Sequence, residues 1–248
     1  MTLLFAGLWG AAAGSGLLLG ALAGYFLRLP QRLIAGALAF GAGVLISALA
    51  FELLDEAFQR AGVLHVAAGF MAGAVFFTLA NRLLSAVGAR QRGRDTRRAA
   101  AAEESQGAAL AVGALMDGIP ESIVIGLGML EGGTVSIVTV IAVFLSNLPE
   151  GLSGASSMRS AGHSAGRIFA IWGGLVCVTG IAAIAGYGLF SHLSPIWLAI
   201  ASAVGAGAIL AMLVDTMIPE AFAEDHDYAG VITAFGFVLS FVLSKSFG

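Results

Sequence analysis

The sequence predicts an all-α polytopic membrane protein of eight transmembrane helices. Three observations carry that expectation. Apolar residues make up 58% of the 248, charged residues only 11%, and the mean hydropathy is +0.94. Twelve basic and 15 acidic side chains are too few to cover a water-soluble domain of this size. The apolar residues also fall in long unbroken runs rich in Ala, Leu and Gly, without the alternation that a closed β-barrel requires.

Charge and Gly/Pro punctuation divide these runs into helices near 3–27, 31–58, 62–88, 107–130, 133–158, 166–190, 195–222 and 229–246. The first opens Met1-Thr2-Leu3 with no basic segment before it, which reads as a span rather than a cleaved leader. The second closes on the acidic stretch Glu52 to Glu56. The third leads into the long polar segment Ala89 to Gln106, whose arginines read as a solvated linker. The fourth and fifth each carry a mid-span Pro-Glu pair. The sixth holds Cys177, the one cysteine, so neither an internal disulfide nor a cysteine metal cluster is available. The seventh closes on Asp215 to Glu220, and the eighth runs almost to the end of the chain.

Basic residues set the expected orientation. Loops after odd-numbered spans hold Arg28, Arg32, Arg82, Arg90, Arg92, Arg94, Arg97, Arg98, Arg159 and Arg167, whereas the other side has only Arg60 and Lys245. The arginine-rich linker is therefore expected in the cytoplasm and both termini outside. A net charge of −3 gives no reason to expect a nucleic-acid partner.

Two echoes suggest an inverted repeat. Glu56-Ala57-Phe58 recurs as Glu220-Ala221-Phe222 on an oppositely directed span. Asp117-Gly118-Ile119-Pro120-Glu121-Ser122 is echoed by Ser146-Asn147-Leu148-Pro149-Glu150-Gly151. Such repeats mark secondary transporters with a site near the bilayer midplane.

Ionisable groups at that depth are costly, about 2.5 to 3.5 kcal/mol each on insertion scales, and so need a purpose. Asp117 and Glu121 lie four apart on one helical face; Ser146 and Asn147 share a face with Glu150. Three carboxylates gathered in apolar surroundings stay ionised only around a cation. Pro120 and Pro149 cannot donate to the carbonyls one turn back, Met116 and Leu145, which leaves acceptors beside the same acids. A second set, Glu52, Glu56, Asp215 and Glu220, is placed to line the two mouths of a cation pathway.

These residues resemble the ZIP (Zrt/Irt-like) family of divalent-metal transporters, and the chain looks like a bacterial member along its whole length. Asn147-Leu148-Pro149-Glu150-Gly151 is close to the family motif of span 5. The span-4 motif has Asp117 for the family histidine and Gly118 for the asparagine. Spans 2 and 7 match with Glu52 and Asp215 in histidine positions, and span 6 lacks the acid that some relatives place there. The resemblance implies a 3+2+3 arrangement, a place in the cytoplasmic membrane, and alternating access that delivers metal to the cytoplasm. It implies no resident cofactor: the metal is cargo, bound by Asp117, Glu121, Asn147, Glu150 and Ser146. An all-oxygen site suits Mn²⁺, Fe²⁺, Mg²⁺ or Ca²⁺, and Zn²⁺ also accepts carboxylates. Loss of the span-4 asparagine and the span-6 acid leads us to expect one ion rather than a two-metal cluster. Monomer and homodimer are both open.

Two rivals are carried alongside. The same acids would serve a proton-coupled or other cation carrier. Gly151-Leu152-Ser153-Gly154 also fits the nucleophile pattern of rhomboid intramembrane proteases, but no histidine falls at mid-membrane depth to act as base, and small-residue packing accounts for the pattern.

Overall fold

The computed structural model describes residues 2–27, 29–95, 115, 118–130, 136–224 and 227–247. Every element among them is helical: α1 (Thr2–Phe26), α2 (Gln31–Ala48), α3 (Asp55–Asp95), α4 (Gly118–Leu130), α5 (Ile137–Ser160), α6 (Ala165–Phe190), α7 (Pro195–Met212), α8 (Ile218–Glu224) and α9 (Ala229–Phe247). Two π-helical turns, Leu49–Leu54 and Leu213–Met217, run α2 into α3 and α7 into α8. Six stretches are long and apolar enough to cross a bilayer: Thr2–Phe26, Gln31–Leu83, Ile137–Ser160, Ala165–Phe190, Pro195–Ala223 and Ala229–Ser246. Helices of this kind mark a membrane-embedded protein.

Gln31–Leu83 has 53 residues and would measure about 80 Å if straight, against a hydrocarbon core of about 30 Å. It is not one rod. At Gly62 the backbone takes φ 74°, ψ 165°, a conformation open to glycine and resisted by a side chain. Beyond the break α3 continues to Asp95, past Ala89, where the sequence predicted a loop. Ala, Arg and Gln are good helix formers, and their propensity carries the helix into the polar segment.

Local signals fix the other starts. Ser136 caps α5 by accepting from the Thr139 amide at 3.2 Å, Ser164 caps α6 through the Arg167 amide, and Pro195 occupies the first turn of α7. Both π turns begin seven residues before the glutamate of the Glu-Ala-Phe echo, Leu49 before Glu56 and Leu213 before Glu220.

Packing relies on glycine. Gly16, Gly20 and Gly24 repeat every fourth residue along α1, and a Cβ at any of them would run into the α5 backbone at Phe144, Leu148 or Leu152; Gly151 of α5 meets the Leu17 carbonyl in return. α1 also packs on α6, where Gly10 lies against Ala183, and α4 closes on α6 through Gly126 and Gly186. Gly43 and Gly236 join α2 to α9, and Gly73 and Gly207 join α3 to α7. These seams tie α1, α4, α5 and α6 to one another, α2 to α9, and α3 to α7, while Gly41 against Ser146 and Gly205 against Val124 bring the sets together.

Candidate metal site

The centre of the bundle is assembled around α5. Pro149 lies within this helix, and Ser146 and Asn147 on the turn before it are 2% and 1% exposed. The Asn147 amide nitrogen donates to the Ala13 carbonyl of α1 at 3.2 Å. Because that carbonyl can only accept, the orientation of the amide is fixed and Oδ1 points the other way. Oδ1 is buried with no hydrogen-bond partner among the described residues.

Ala13 leads to the rest of the site. The adjoining Gly14 faces Thr179 of α6, where a Cβ would lie 3.0 Å from the threonine Cβ. Gly118, at the start of the described part of α4, faces the same threonine at 3.3 Å from Cγ2. Asn147 and the span-4 motif are therefore brought to one level of the bundle through α1 and Thr179. One turn along α4 lies Glu121, 2% exposed, followed by Ser122 at 1%. On the opposite side of α5, Gly41 of α2 sits where a Cβ would be 3.1 Å from the Ser146 Cα and 3.4 Å from the terminal methyl of Met217, in the second π turn.

Of the predicted ligands, Glu121, Asn147 and Ser146 are thus deeply buried and Glu150 is half-buried. Asp117, with its neighbour Met116, lies outside the described residues. Among the described residues no three His, Cys, Asp or Glu side chains gather closely enough to hold a metal ion. Ser146 is committed in part: its hydroxyl donates to the Val143 carbonyl at 2.9 Å, leaving lone pairs but no free proton.

The mouth residues have separate partners. Glu52 accepts from Ser136 at 2.8 Å and from Ser244 of α9. Glu56 pairs with Arg60 at 2.5 Å, Glu220 accepts from Ser153 at 2.5 Å, and Asp215 is exposed in the second π turn. The bond from Ser153 to a carboxylate gives that hydroxyl a partner the protease pattern does not anticipate. The next residue, Gly154, accommodates the edge of the Trp172 ring, which is 1% exposed. The Trp172 Nε1 is buried without a hydrogen-bond partner among the described residues.

Two participants escaped the candidate set drawn from the sequence: the Ala13 carbonyl, which has no signature in a sequence, and Thr179. Thr179 had a signal, as one of few polar side chains in an otherwise apolar span. Neither a family model nor a curated protein matches the chain.

Proposed function

We propose that the chain is a ZIP-like carrier that moves divalent metal cations across the cytoplasmic membrane into the cytoplasm. In this reading Gly62 separates spans 2 and 3, α4 belongs to span 4, and the spans number eight in a 3+2+3 inverted repeat. The equal offset of the two π turns from Glu-Ala-Phe supports the repeat, since π turns recur at functional positions in helices. The observation that carries the function is the fixed, unsatisfied Oδ1 of Asn147, on one level with the buried Glu121 motif. A buried acceptor left unpaired costs about 1 to 3 kcal/mol, and a cation shared with the acids removes that cost. Asp117, Glu121 and Glu150 supply a formal −3, so one M²⁺ leaves −1 and a second would leave +1 in low dielectric.

The test is uptake of a panel of divalent metals into proteoliposomes, with elemental analysis of the purified protein. We expect uptake that saturates with metal and about one ion bound per chain. Uptake that follows pH and never saturates with metal would favour the proton-coupled reading.

The glycine seams supply the moving parts. α5 and α4 carry the ligands, and α1 and α6 are seamed to them, so in this reading the four travel together past α2, α3, α7 and α9, sliding at the contacts of Gly41 with Ser146 and of Gly205 with Val124. Ser153 of α5 bonds to Glu220 of α8, which continues α7 through the second π turn and so belongs to the other side. With Cys177 replaced by Ala, a short reducible bis-thiol crosslinker joining the Ser153→Cys, Glu220→Cys pair should stop uptake, and reduction should restore it to the level of the same variant before crosslinking. Undiminished flux in the crosslinked protein would point to a channel.

A further inference from the structure

We infer that the crossing of α2 and α9 holds a monovalent cation of the sodium class at Glu52, a residue also read as lining a mouth of the cation pathway; the site uses none of the ligands assigned to the transported metal. Glu52 lies in the first π turn, half-buried, with both carboxylate oxygens accepting hydroxyl protons, one from Ser136 and one from Ser244. A serine that donates in this way can still accept: Ser244 keeps both lone pairs for a cation, and Ser136 keeps the one that the Thr139 amide does not occupy. The other acids of the stretch are engaged locally, Asp55 by Gln59 at 3.1 Å and Glu56 by Arg60. Lys245 directs its ammonium over the Phe51 ring, 5.6 Å from the centroid, and no ion pair joins it to Glu52 among the described residues.

The independent sign of a ligand is a pair of buried hydroxyls. Ser47 of α2 is 0% exposed and Ser240 of α9 is 2% exposed, and neither Oγ has a hydrogen-bond partner among the described residues. That is unusual within this molecule. Ser146, Ser160, Thr179, Thr216 and Thr233 all return their proton to a carbonyl of their own helix. The helix register puts the two at one height. Gly43 packs at Thr233 and Phe237, and Gly236 packs at Phe40, so α2 and α9 run parallel with Ser47 level with Ser240 and Glu52 level with Ser244. Ser47 and Ser240 thus lie about one turn before Glu52 and Ser244 on the same crossing.

The donor set is oxygen alone with a formal charge of −1. A divalent ion would leave +1 in the bundle, and water would leave the carboxylate uncompensated; a monovalent cation balances the charge. Because Ser136 is also the cap of α5, occupancy at Glu52 bears on where that helix begins.

The purified full-length protein, in detergent with a divalent chelator, would be melted in NaCl, KCl and choline chloride at one pH and ionic strength. Sodium should raise the midpoint saturably, by about 3 °C or more over choline. Glu52→Gln and Ser240→Ala should each remove the difference while remaining folded. Equal midpoints in all three salts, potassium matching sodium, or a shift that follows pH alone would overturn the site. A sodium shift without divalent uptake overturns the transport reading alone; uptake without the shift overturns this site alone.

Discussion

Replacing Glu121 or Glu150 by Ala should lower metal uptake by about 100-fold or more, while the protein still elutes as a folded species. The magnitude follows from what is removed. Breaking one partner of a buried charge cluster costs about 3 to 5 kcal/mol, and 1.4 kcal/mol is a factor of ten. Glu121 is 2% exposed, so no water replaces the lost ligand cheaply. Metal uptake and a size-exclusion profile on the same preparation separate loss of the site from loss of the fold. Normal transport by both variants would mean that the ion binds elsewhere.

The second large effect concerns stability, and its sign depends on which glycine is changed. Gly20→Ala and Gly151→Ala place a methyl group on the Leu148 and Leu17 carbonyls across the α1–α5 seam, with no side chain that can yield. Overpacking of this kind costs about 1 to 3 kcal/mol, more where backbone must move. Gly173→Ala, in the middle of α6, meets nothing within 4 Å and should gain about 1 kcal/mol from helix propensity. Thermal melting in detergent should show the first two falling sharply and the third level or higher. A uniform response would mean that the seam is looser than its geometry.

The all-helical character was legible because each run is continuously apolar, and lipid demands internally satisfied backbone. The same continuity hid other features. Where every face of a helix is apolar, the pattern carries little phase, so the π turns at Leu49–Leu54 and Leu213–Met217 left no trace. At the site, Glu121, Ser146 and Asn147 were readable as polar residues with no business in a span. Their anchoring was not, since Asn147 is oriented by an anonymous carbonyl at Ala13 and Gly118 meets Thr179 two spans away in sequence. Glycines 16, 20 and 24 showed their spacing but not their partner.

Trp172 gives the protein an optical reporter of its own. Its indole is sealed between α6 and Gly154, one turn past Glu150, whereas Trp197 is 59% exposed at the start of α7. An indole screened from water and lacking a hydrogen-bond acceptor emits toward the blue. A metal with unfilled d orbitals bound near Glu150 would quench that emission by energy transfer, while a closed-shell ion would leave it bright. Titrating a Trp9→Phe protein, in which the third tryptophan no longer contributes, with each kind of ion would therefore follow occupancy in real time, with Trp197 as an internal reference for the surrounding amphiphile.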